Sequence, residues 1–253
     1  MFVVMRKGAQ RWFNRFSANR WGDVSPFTQV NHHPQPLYTS NASVVLMVSP
    51  ALRYWCDLYR RHKYEALALD IETEEYDGKI AVVSMSKLHR NDVAETVQLT
   101  QGCDLTDDTL FREVHPCSLL ITFNGRDFDL PRIKAEYPSA VPDNIPVLDL
   151  WILAQAIGLR GGLKLLEKVF NIHRAGSARD ATGRTHILWK KFVQDDDREA
   201  LETLLTYAAA DSKNLFALAD TLIEWSEARL LVQERQSDEH TNASKFSLVF
   251  EMT

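Results

Sequence analysis

The sequence predicts an α/β fold, a mixed β-sheet of antiparallel and parallel strands flanked by helices. Three observations carry that expectation. Apolar runs of strand length, ALALDIET, KIAVVSMSKL and SLLITFNG, are each closed by polar or turn-forming residues. Between and after them lie segments whose apolar residues recur at helical spacing, and beyond Asp149 that spacing dominates. Two of the strands also run into carboxylates, and the carboxyl edge of a parallel-type sheet is where such folds place their ligands.

In chain order, ALRYWCDLYRRHKY has helical spacing and precedes the first strand. ALALDIET follows as a buried strand with Asp70 and Glu72 near its end. Strand side chains alternate between faces, so Asp70 and Glu72 share one face while Leu69 and Ile71 share the other. Two like charges beside an apolar strand cost free energy unless a cation, a hydrogen-bond network or open water offsets them. A solvated acidic turn is one solution, since Glu74, Glu75 and Asp77 follow directly. A divalent metal site is the other, and it requires further carboxylates from distant sequence.

Asp77 and Gly78 form a turn signal, after which KIAVVSMSKL and VAETVQLTQ are spaced for an antiparallel meander. DLTDDTLFREVH opens with residues suited to a helix N-terminus. SLLITFNG, stopped by Asn124 and Gly125, is the next strand, and RDFDLPRIKAEY the helix after it, with Pro131 in its first turn. LWILAQAIG, GLKLLEKVFNI, ILWKKFVQ and a long region from about Asp197 to Arg235 complete the helices. There is no internal repeat.

Hydrophobic residues make up 45% of the chain and charged residues 25%, enough apolar material for a core without cross-links. Cys56, Cys103 and Cys117 form no CxxC pair and have no histidine at zinc spacing. That pattern argues against a disulfide framework or structural zinc and suits a reducing, cytoplasmic compartment. No apolar run approaches the ~20 residues needed to cross a bilayer, so a soluble protein is expected. The net charge of -5 is unevenly spread: residues 1–21 hold Arg6, Lys7, Arg11, Arg15 and Arg20 and no acid. As a helix that segment is cationic and amphipathic, which suits an arm packed on the domain, a surface for phosphates or anionic lipid, or an organelle presequence. VSPFTQVNHHPQPLYTS reads as an extended connector, its His32 and His33 either solvated or metal ligands. The expected organisation is a basic extension and connector over 1–60, a compact α/β domain over 61–235, and a loosely docked tail over 236–253.

The remaining carboxylates come from two further segments. Asp127 and Asp129 lie at a strand-to-helix turn, where either can be a ligand or an N-cap. In LLTYAAADSKNL, Tyr207 and Asp211 are four residues apart and so share a helix face, and Ala208, Ala209 and Ala210 between them allow close approach to a sheet. The order is therefore D-x-E on a strand, N-G-x-x-F-D after a strand, and Y-x-x-x-D on a helix. With LDIET, ITFNGRDFDLPRI, VLDLW, GLKLLEKVFNI and LLTYAAADSKNL, and a looser match over RAGSARDATGRTHILW, the chain resembles the DEDD superfamily of 3′-to-5′ exonucleases. Within it the match is to the tyrosine-bearing (DEDDy) subgroup and its YprB-type branch, with a ribonuclease H-like fold. The resemblance spans roughly Ala66 to Trp225.

The resemblance implies that Asp70, Glu72, Asp129 and Asp211 hold two divalent cations, Mg²⁺ or Mn²⁺. Hard oxygen donors without a competing Cys or His cluster suit those ions. It implies hydrolysis of phosphodiester bonds at the 3′ ends of single-stranded DNA or RNA, with Tyr207 positioning the attacking water. Asn124, Gly125 and Phe128 would line the pocket for the terminal nucleotide, Phe128 either stacking on a base or serving the core. Asp149 would support the site from behind. Lys164, Arg174, Arg179 and Arg184 are either backbone-phosphate contacts or solvated charges. Two alternatives stand beside exonuclease action: a catalytically silent nucleic-acid-binding or scaffold module of the same fold, and an endonuclease using the same metals.

Overall fold

The computed structural model describes the backbone of residues 41–75, 78–174 and 183–250, and within them the side chains of 50–75, 78–174 and 183–235. The basic N-terminal segment, His32, His33, Asp77 and Arg179 lie outside the described residues. Helix α1 (Asn41–His62) and a short 3-10 turn (Lys63–Glu65) lead into β1 (Ala66–Thr73), β2 (Ile80–Leu88) and β3 (Ala94–Thr100). Helix α2 (Asp107–Val114), β4 (Leu119–Thr122), α3 (Asp129–Glu136) and β5 (Val147–Asp149) follow. The chain then continues as α4 (Leu150–Ala156), α5 (Leu163–Val169), α6 (Thr185–Asp195) and α7 (Arg198–Phe250).

The five strands form one mixed sheet in the order β3-β2-β1-β4-β5. β1, β2 and β3 pair antiparallel, as the expected meander, while β4 pairs parallel with β1 and β5 parallel with β4. Alternation along β1 divides the core in two. Leu67, Leu69 and Ile71 join Leu110, Val114, Leu120 and Ile133 on one side, against α2 and α3. Ala66 and Ala68 join Leu119 and Ile121 on the other, where α1, α4, α5 and α7 pack. The small side chains on that second face let α7 come close, and Leu204 and Ala208 seat it against Ala81 and Val82. Ala208 is fully buried, whereas Ala209 and Ala210 are only half-buried.

Local chemistry sets the element ends. Thr106 caps α2 through a reciprocal capping box with Thr109, worth about 1 kcal/mol. Asp149 caps α4 by accepting the Trp151 amide. Leu52, Cys56 and Tyr59 of α1 are buried in the main core, so this helix packs as part of the same compact unit as the sheet. Its arginine-rich end disguises an apolar stripe that packs on α7. Residues 236–250, with neither Gly nor Pro to break them, continue α7 as helix.

Candidate metal centre

β1 outruns its parallel neighbour. Its pairing with β4 stops at Ala68, whereas pairing with β2 continues through Asp70, Ile71 and Glu72. The Ile71 amide, beyond the paired end of β4, donates instead to Asp129 Oδ1 at 3.0 Å. Asp129 is the first residue of α3 and only 5% exposed, while Asp127 faces solvent. The turn that aims Asp129 inward depends on Asn124, which takes the left-handed conformation with φ of 61°. It depends equally on Gly125, where a Cβ would stand 2.5 Å from the Thr122 Cβ. Behind the turn, the buried Asp149 carboxylate accepts amide hydrogens from Asn124 at 2.9 Å, Arg126 at 3.1 Å and Trp151 at 3.0 Å. Asn124, Gly125 and Asp149 thus shape the loop. Phe128 packs at the edge of the α2–α3 core with the Arg132 guanidinium 3.7 Å from its ring centroid.

Helix α7 brings the last carboxylate. The Ser212 hydroxyl bonds Ser84 at 3.0 Å and Ser86 at 2.8 Å, and Ser86 bonds Thr96 at 2.8 Å. Since Ser84 is the cross-strand partner of Asp70, this hydroxyl chain fixes Asp211 beside the acidic end of β1. Carboxylate oxygens of Asp70, Glu72 and Asp211 all lie within 4.8 Å of one another. Asp129 stands outside that triplet and acts on Asp70 and Glu72 through space.

A second network ties α5 to α7. Lys164 and Glu167, one turn apart on α5, face Asp211 and Asn214, one turn apart on α7. Arg174 lies between the two pairs. Its guanidinium grips Glu167 through Nε at 2.6 Å and Nη2 at 2.9 Å, and Nη2 also donates to Asp211 Oδ1. Lys164 Nζ donates to the same Oδ1, and Asn214 donates to Glu167 at 2.9 Å. Both cations also sit over the Tyr207 ring, Lys164 at 4.6 Å and Arg174 at 5.4 Å from its centroid. Arg174 is therefore a buried ion-pair partner rather than a solvated loop charge. Glu167, Asn214 and Ser212 escaped the sequence reading. The one available signal was Glu167, an acid on the apolar face set by Leu163, Leu166 and Phe170.

Burial dominates the electrostatics. It raises the Asp70 carboxyl well above the ordinary carboxylate range, and the neighbouring Glu72 and Asp129 charges push it further. Burial likewise raises Glu72 to about 7, against a hydrogen bond from Thr185, and Asp129 to about 7, against the Ile71 amide. Lys164 is lowered by burial, and Tyr207 is raised, so its phenol is a neutral donor at physiological pH. Among the described residues, five carboxylates (Asp70, Glu72, Asp129, Glu167, Asp211) gather around Lys164 and Arg174, with the Arg132 charge acting on Asp129 from outside the cluster, so the acids still outnumber the cations. Hard oxygen donors in excess of their counter-charges are a fit for divalent cations such as Mg²⁺ or Mn²⁺.

Comparison with known proteins agrees with this architecture. A family model described as RNase_H superfamily (RNase_H_2) matches residues 67–223, the span from the second residue of β1 to the middle of α7. No curated protein and no solved structure matches the chain. Among the described residues no helix is long and apolar enough to cross a membrane.

Proposed function

The chain belongs to the RNase H superfamily, and from that premise we propose that it is a metal-dependent 3′-to-5′ exonuclease acting on single-stranded DNA or RNA. One observation carries the reading: acids from β1 and α7, remote in sequence, converge within 4.8 Å, with Tyr207 one turn from Asp211. Asp70, Glu72 and Asp211, with Asp129 at their flank, would hold two Mg²⁺ or Mn²⁺ ions. When bound, the ions supply Lewis-acid activation of water and neutralise charge on the departing 3′ oxygen. Tyr207, a largely buried neutral phenol, would donate a hydrogen bond that orients the attacking water in line with the phosphorus. Phe128 offers the edge of its ring to the terminal base, and the Asn124–Gly125 turn keeps Asp129 inward. Lys164, the more exposed of the two cations, reaches the backbone phosphate.

The test is a 5′-labelled single-stranded oligonucleotide, as DNA and as RNA, incubated with the full chain and Mn²⁺. The expected result is a ladder of 3′-shortened products that Asp70→Ala abolishes. Absence of shortening, with Asp70→Ala indistinguishable from the parent protein, would make this a silent binding module. Cleavage of a circular single strand, which offers no end, would make it an endonuclease.

A further inference from the structure

Lys164 and Arg174 carry the same charge and touch the same oxygen, Asp211 Oδ1, yet their surroundings differ. The Arg174 side chain is 7% exposed, and its charge is already matched by Glu167, itself 3% exposed, through two hydrogen bonds. Asn214, on the helix that bears Asp211, holds Glu167 in turn. Arg174 is thus anchored from both helices and cannot leave Asp211 without stranding a buried carboxylate. The Lys164 side chain is 31% exposed, has a flexible four-carbon stem, and has Asp211 as its only salt-bridge partner among the described residues. Because Arg174 stays on Asp211 when Lys164 leaves, Lys164 can exchange that contact for solvent or phosphate without stranding the carboxylate, giving up its place over the Tyr207 ring.

Building on the reading of the acidic cluster as a metal centre, we propose a division of labour between the two cations. Lys164 is an exchangeable counter-ion that competes with a divalent cation for Asp211, whereas the Glu167–Arg174 pair is a fixed clamp that positions Asp211 for that cation. Arg174 and Glu167 are positioning residues, since they act through the ligand. A site with three clustered acids and a fourth at their flank has to remain folded before metal arrives, and a tethered ammonium that moves aside meets that need without blocking it. The two roles give opposite signs. Removing the exchangeable cation strengthens metal binding; removing the clamp weakens it, even when net charge is preserved.

The test is calorimetric titration of the full, chelator-stripped chain with Mn²⁺ alone, at fixed pH, each variant being checked for folding by circular dichroism. Lys164→Met is expected to tighten Mn²⁺ binding at least about fivefold, because a competing positive charge is gone. Lys164→Arg, which keeps the charge, should stay within about twofold of the parent. The charge-neutral double variant Glu167→Gln/Arg174→Gln should weaken binding at least about fivefold, because Asp211 loses its hold. Should that double variant fail to fold, Arg174→Lys replaces it with the same expected direction, since an ammonium cannot grip both Glu167 oxygens and Asp211 together. Unchanged or weaker binding by Lys164→Met overturns the exchangeable role. Unchanged or tighter binding by the clamp variant overturns the positioning role. A parent protein that takes up no Mn²⁺ at all overturns the metal-centre reading itself, a result distinct from either.

Discussion

Helix α7 carries two aspartates that meet a lysine, Asp211 and Asp220, nine residues apart and so on opposite sides of the helix. At Asp220 the donors are shared out. Tyr59 donates to Oδ1 at 2.9 Å and Lys63 to Oδ2 at 2.9 Å, and this network staples α7 to α1 and the turn after it. At Asp211 two cations crowd a single oxygen while Asp70 and Glu72 press within 4.8 Å. The first arrangement gives each carboxylate oxygen its own donor, and the second stacks two donors on one oxygen while neighbouring carboxylates crowd in. A polar cluster that balances itself holds a fold together; one that does not is arranged around something still to be supplied.

Substitutions at the two aspartates should separate these roles most sharply. Asp211→Asn is expected to abolish Mn²⁺ uptake and to cut exonuclease rate on the order of a thousandfold, as seen by calorimetry and oligonucleotide shortening. Asp220→Asn should leave both readouts at the parent level. If the two variants lost metal binding alike, the contrast between the sites would be void. Tyr207→Phe comes next: on the proposed mechanism, in which the phenol orients water and holds no ion, kcat should fall about 10- to 100-fold while Mn²⁺ affinity is unchanged.

Smaller effects concern stability. Glu72 and Asp129 titrate near 7 in the folded chain, above the ordinary carboxylate range of the unfolded one. The folded state therefore holds protons that the unfolded chain has released, and the stability this gives is full below about pH 4 and lost as pH rises through about 7. Thermal melts of chelator-treated protein should thus fall between pH 5 and pH 8, by about 5 °C, and Mn²⁺ at pH 8 should restore the loss. Melts independent of both pH and Mn²⁺ would remove the charge imbalance that distinguishes the Asp211 side. The smallest change is Tyr59→Phe, which costs about 1 kcal/mol in urea unfolding by deleting one buried donor to Asp220 and leaves Mn²⁺ affinity alone.

Strand alternation made the shared face of Asp70 and Glu72 legible from sequence, and the same period-two logic gave the meander. Helical spacing likewise put Tyr207 and Asp211 on one side of α7. The resemblance selects Asp129 over Asp127, but local spacing leaves both open, because which acid faces inward depends on β4 ending short of β1 and leaving the Ile71 amide for a side chain. Arg174 looked like loop charge because its partners sit on two different helices, Glu167 on α5 and Asp211 on α7, thirty-seven residues beyond Arg174. Ser212 read as an ordinary helix residue, since the hydroxyls that meet it belong to strands more than a hundred residues earlier.

That hydroxyl chain works as an indexing pin for α7. Apolar ridges tolerate a helix sliding along a sheet, but a slide by one pitch would bring Ala208 or Phe216 to Ser84 and Ser86. The first would leave the buried Ser84 hydroxyl without its Ser212 partner, and the second would not fit. The shift itself, ~5.4 Å, exceeds the 4.8 Å within which the three carboxylates now meet. Three serines and a threonine thereby disfavour a misassembly that would keep the core buried while scattering the acids.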